Sequence, residues 1–124
     1  MASYAYTQTS PTVDRVPFFA SGALTDGSTA TVTFDNVTDQ IVVSCTSAGA
    51  GGTMKIGVTT TGVASTQNLT LASGGTTGTI DVRLKQVVIK AVDEDITYQV
   101  FAVLSRDDSS TYPDITTANG FAGV

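Results

Sequence analysis

The chain has 124 residues, with 6 basic and 11 acidic side chains, no His, no Trp and one Cys, for a formal net charge of −5. That length fits one domain, and an acidic chain repels phosphate, so direct nucleic-acid binding is excluded as a principal activity. A lone Cys permits no internal disulfide, and without His the usual general base for a Cys or Ser nucleophile is missing.

The first segment, Met1 to Pro17, is polar and rich in small residues, with Tyr4 and Tyr6 spaced along it. It lacks the basic and apolar regions of a secretory signal. The expectation is synthesis in a host cytoplasm and release, if any, by another route such as lysis. No apolar stretch approaches the ~20 residues that cross a bilayer as a helix.

From Phe18 onward, period-2 alternation dominates. FFASGAL (Phe18–Leu24) reads as a first strand and Asp26-Gly27 as a hairpin turn. In TATVTF (29–34), Ala30, Val32 and Phe34 share a face. QIVVSCT (40–46) sets Ile41, Val43 and Cys45 inward, which makes Cys45 a small buried apolar residue. TMKIGVT (53–59) offers Met54, Ile56 and Val58, and QNLTLA (67–72) offers Leu69 and Leu71. TIDVRL (79–84) offers Ile80, Val82 and Leu84. In QVVIKAV (86–92) the phase flips to Val87 and Ile89, implying a bulge or tight turn near Lys85 and Gln86. ITYQVFAVL (96–104) gives Ile96, Tyr98, Val100, Ala102 and Leu104 on one face. Its other face carries Phe101 and Val103 side by side, so either an arm of the chain or another chain should cover them.

Threonines fill the outward positions, as suits a β-branched residue on a solvated sheet face. No window of helical length shows helical periodicity. Eight short strands punctuated by turns predict an all-β fold, a single antiparallel β-sandwich or jelly roll. The expected core comprises Val32, Phe34, Ile41, Val43, Cys45, Ile56, Val58, Ile80, Val82, Val100 and Ala102. The domain is expected over residues 18–105, flanked by arms at 1–17 and 106–124. At about 85–90 residues, such a core folds alone with little margin. The second arm carries Tyr112 and Phe121. Alone, arms of this composition should be disordered, and their spaced aromatics are suited to anchoring on a neighbouring surface.

Candidate sites are few. Asp93-Glu94-Asp95 reads as a hairpin tip, because consecutive acids cannot converge on one Ca²⁺. Asp35, Asn36 and Asp39 lack the glycine pivot and terminal Glu of a calcium loop. Asn36-Val37-Thr38 and Asn68-Leu69-Thr70 match the glycosylation pattern but follow no export signal. Gly49 to Gly52 precede no helix, so they form no phosphate cradle. Arg83, Lys85 and Lys90 read as a solvated strand face. No catalytic residue, metal site or cofactor is expected, and the chain reads as a non-enzyme that works by surface contact.

The stretch from FFASGAL through TVTFDNVTDQIVVSCTS to MKIGVTTTGV resembles small virion proteins of tailed bacteriophages, in particular capsid decoration, or cement, proteins. The resemblance covers residues 18–104 and is one of texture: acidic, Thr/Gly/Ala-rich β sequence with few reactive side chains. It implies a place on the capsid exterior, with the major capsid protein as partner. It also implies self-association, a homotrimer before a dimer, and a role in resisting internal DNA pressure. The expected interface residues, from the arms and the outward face together, are Tyr4, Tyr6, Phe101, Val103, Tyr112 and Phe121. Two other classes stay open. One is a receptor- or carbohydrate-binding β-sandwich at a fibre tip or adhesin. The other is an immunoglobulin-like bacterial surface module.

Overall fold

The computed structural model describes residues 15–124. In chain order it contains β1 (Val16–Leu24), β2 (Thr29–Thr33), β3 (Asn36–Ala48), β4 (Thr53–Gly57), α1 (Thr60–Ala64), β5 (Leu69–Ala72), β6 (Ile80–Asp81), β7 (Gln86–Val92) and β8 (Ile96–Asp108). Every strand that the alternation predicts is present. Two four-stranded antiparallel sheets form, ordered β1-β8-β3-β6 and β2-β7-β4-β5. β1 pairs with β8, β2 with β7, β3 with β6 and β4 with β5. The chain is therefore wired as one long antiparallel pair folded over on itself, which is the jelly roll.

This wiring revises two local expectations. Asp26-Gly27 does make a turn, with Gly27 at φ +81° and Ser28 N–H bonding the Thr25 carbonyl at 2.9 Å. Yet β1 and β2 lie in different sheets, so the turn carries the chain between layers and makes no hairpin. The phase flip near Lys85 has the same origin. β6 belongs to one sheet and β7 to the other, and residues 82–85 cross between them. A change of sheet alters which phase faces the core, without any bulge. TIDVRL pairs as a strand only at Ile80 and Asp81. The register shifts that do occur lie along the β3–β8 pair: extra residues stand on β8 opposite Val37, and on β3 between Thr38 and Gln40 and between Cys45 and Ser47.

Helix α1 was not legible in the alternation. Thr59 caps it, its hydroxyl accepting from the Gly62 N–H at 2.9 Å. At five residues it is too short to display a period. Its Val63 and the outward-phase Val88 of β7 are both fully buried, and α1 packs against β4 and β7.

Between the sheets lie Phe34, Ile41, Val43, Cys45, Met54, Ile56, Leu84, Val87, Ile89, Ala91, Ile96, Val100 and Ala102. Phe18 meets Phe34 edge-on at 5.2 Å between ring centroids. Seven of the eleven expected core residues are buried; Val32, Val58, Ile80 and Val82 are only half-buried. Two polar side chains are buried with partners. The Thr38 hydroxyl donates to the Val82 carbonyl at 2.7 Å and accepts from the Leu84 N–H at 2.9 Å, and Ser105 donates to the Val37 carbonyl at 2.7 Å. They fix the β6–β7 crossover and the end of β8 to β3.

β8 runs to Asp108, so it takes in the first three residues of the second arm expected from Arg106. The residues after it lie on their own domain. Ser109 N–H bonds the Asp35 carbonyl at 3.0 Å, and Lys85 reaches the Tyr112 carbonyl at 3.0 Å and the Asp114 carboxylate at 2.7 Å. Ile115 packs against the core, and Gly62 sits against the backbone of Val124. The first arm, apart from Arg15 to Pro17, lies outside the described residues.

Candidate interaction surface

Alternation along β1, β8 and β3, shifted by one residue between Cys45 and Ser47, builds the outer face of the first sheet. Register aligns four rows across these strands: Pro17–Val103–Gln40, Phe19–Phe101–Val42, Ser21–Gln99–Ser44 and Ala23–Thr97–Ser47. None of these twelve side chains is charged, on a chain of net charge −5. Pro17, Val103, Phe19, Phe101 and Val42 sit together at one end and the mostly polar rows at the other. Phe19 and Phe101 stack at 5.1 Å between centroids with a 45° tilt, and Phe19 is 75% exposed. A shallow groove of about 490 Å³ runs along this row, lined by Phe19, Ser21, Val42, Ser44, Gln99 and Phe101.

β1 is also an edge strand, nine residues long, that pairs on one side with β8 and, among the described residues, with no strand on the other. Such an edge presents unpaired backbone groups to a partner. Face and edge meet at Phe19.

Phe101 and Val103 thus lie where alternation put them, half-buried on one face. The contacts of the described part of the second arm lie elsewhere, with Phe34 and Asp35, with Arg83 and Lys85 in the 82–85 crossover, and with Gly62 of α1. Tyr112 sits under the Arg83 guanidinium, 5.5 Å from it, and Phe121 is 37% exposed in the C-terminal turns. Tyr4 and Tyr6 lie outside the described residues. Phe19 is the residue that sequence reasoning missed. Its signal was the doublet Phe18-Phe19: neighbours on a strand point to opposite faces, so one ring had to face outward.

The other candidates serve the fold. Arg83 bonds Asp39 at 3.0 Å and Asp107 more closely, and Arg15 approaches Asp39 at 3.6 Å. Partial desolvation opposes the charge of Arg83, but Tyr112, Asp107 and Asp39 outweigh it and hold its pKa above the ordinary arginine value. The basic group at 83–90 is therefore not a solvated strand face as a whole: Arg83 and Lys85 fasten the C-terminal segment. Asp95 accepts from the Asp26 N–H at 2.9 Å, pinning the first turn to the β7–β8 tip. Asn36 donates to the Ser105 carbonyl at 2.9 Å, and Asn68 to the Gly62 and Ser65 carbonyls at 3.0 and 2.9 Å.

Cys45 is fully buried, its thiol directed at the Ser47 carbonyl at 3.5 Å. Burial pushes its pKa up, more than that contact lowers it. Among the described residues, no three His, Cys, Asp or Glu side chains cluster as a metal would require. No helix among them is long and apolar enough to cross a membrane. A scan against models of protein families and searches of curated proteins and solved structures find no match to this chain.

Proposed function

We propose that this chain is a structural virion subunit, a capsid decoration or cement protein that binds the outer surface of a phage capsid and stabilises it. The observation that carries the proposal is the aromatic-centred outer face shared by β1, β8 and β3, which is uncharged up to Asp81 of β6, the neighbour of Gln40 at its margin. A chain of net charge −5 that keeps twelve adjacent surface positions neutral has a face suited to close contact. Removing the Phe19 ring from water contributes about 1.5–3 kcal/mol per contact, which many copies on a symmetric shell multiply through avidity. The partners are then the major capsid protein and further copies of this chain, a trimer being the favoured arrangement. The jelly roll is a frequent scaffold of capsid proteins, although lectins and cupins share it and a fold alone names no function.

The experiment is to sediment a lysate of the source particles and locate the protein with an antibody. Co-sedimentation with megadalton shells and gold label on their exterior are expected. Recovery of all the protein as a free small species overturns the proposal.

A carbohydrate-binding reading draws on the same groove, where two aromatic rings adjoin Ser21, Ser44 and Gln99. Glycan-array binding that is lost in Phe19→Ser, together with absence from particles, would select it.

A further inference from the structure

Three residues with core phase, Val58, Ile80 and Val82, are only half-buried, and all three line one cleft. The cleft opens between the sheets where β5 and β6 form their edges. Its cause is length: β6 has two residues and β5 has four, against thirteen in β3, so neither edge strand closes the side of the sandwich. Buried Ile41 and Leu84 help to form the inner wall, and Leu69, 53% exposed, lies at the mouth.

The cleft holds about 350 Å³, which is within the range of small-molecule sites. Among the described residues, no charged side chain lines it. Its polar rim comes from Thr66, Gln67 and Asn68, and the Asn68 amide is already engaged with α1 carbonyls. Gly123 reaches the rim, so the described C-terminal end borders the cleft. The lining shares no residue with the Phe19–Phe101 groove.

We propose that this cleft binds a neutral aliphatic molecule, its chain between the sheets and a hydroxyl or amide at the rim. Aliphatic walls supply the attraction. The absence of a cation in the lining disfavours a carboxylate or phosphate, which would be desolvated unpaired.

The test is a methyl-NMR titration of the full chain with 1-hexanol, 1-octanol, 1-decanol and decanoate below its micelle concentration. Saturable shifts are expected at Leu69, Ile80 and Val82. Affinity should rise by about fourfold per methylene until the cleft is full, and decanoate should bind at least tenfold more weakly than 1-decanol. Val82→Phe should weaken 1-decanol at least tenfold; if that variant does not fold, Leu69→Lys at the mouth should do the same. Phe19→Ser should leave the affinity unchanged.

The proposal is overturned by an absence of saturable shifts, or by shifts centred on Phe19 and Phe101. It also fails if 1-decanol binds only after residues 1–14 are deleted, because the cleft then belongs to the chain's own N-terminal segment. Self-association that Leu69→Lys abolishes and 1-decanol does not affect would assign the cleft to a second copy instead.

Discussion

Phe18 and Phe19 are neighbours with opposite fates. Phe18 turns inward onto Phe34, which is 3% exposed, while Phe19 faces out at 75%. Phe34→Ala should therefore cost about 3–5 kcal/mol, a large share of the stability of a small domain. Thermal unfolding followed by circular dichroism measures it, and an unchanged midpoint would contradict the packing. Phe19→Ser should cost less than about 1 kcal/mol, mostly its stacking on Phe101, yet lower occupancy on shells in a binding assay. Cys45 offers a third measure. Its thiol is buried and its pKa raised, so a thiol reagent should label it only on unfolding. Stoichiometric labelling of the native protein within seconds would place Cys45 at the surface.

At the scale of elements, the C-terminal segment differs most from a free tail. It follows β8 without a break and is held by Lys85, Arg83 and the packing of Ile115. Ending the chain at Asp108 should leave the jelly roll folded but destabilised by about 1–2 kcal/mol, from the loss of Ile115 alone. An unchanged unfolding midpoint would show that the segment contributes nothing. Asp108 contributes a pH dependence. Its carboxylate caps the turn at Ser110 and is held below the ordinary aspartate range by the Ser110 hydrogen bonds. A depressed pKa means that its stabilisation is complete above the unfolded value of ~3.9 and disappears as pH falls through the lower folded value. The Ser110 amide resonance should follow that titration, with a midpoint below that of a free Asp.

For the whole molecule, the jelly-roll wiring decides what is exposed. Joining β1 to β8 and β8 to β3 brings residues 19, 42 and 101 into one row. The other sheet instead has α1 packed against β4 and β7, with Val63 and Val88 both buried. The proposed interface thus combines one sheet face with β1, whose outer edge pairs with no strand among the described residues, and the N-terminal segment expected to bind lies outside them. Adding protein lacking residues 1–14 to shells that lack the protein separates these contributions. Reduced occupancy is expected, and occupancy equal to that of the full chain would leave the sheet face as the sole contact.

Alternation by itself determined the eight strands, the class of fold, the burial of Phe34, Val43 and Cys45, and the outward pairing of Phe101 with Val103. All of these follow from the two-residue period of a strand, which is a local property. Tertiary structure decided the rest. Which strand is neighbour to which depends on contacts far apart in sequence, so Asp26-Gly27 read as a hairpin when it changes sheet. The reversal of phase after Leu84 read as a bulge or a tight turn for the same reason. Val88, in the outward phase, is buried in the strand against which a five-residue helix, too short to show a period, packs. Val58, Ile80 and Val82 carry core phase but stay half-open because two edge strands are short, and strand length is set by pairing rather than by pattern. Phe19 joins Phe101 across a strand pair separated by most of the chain, a proximity that no local period encodes.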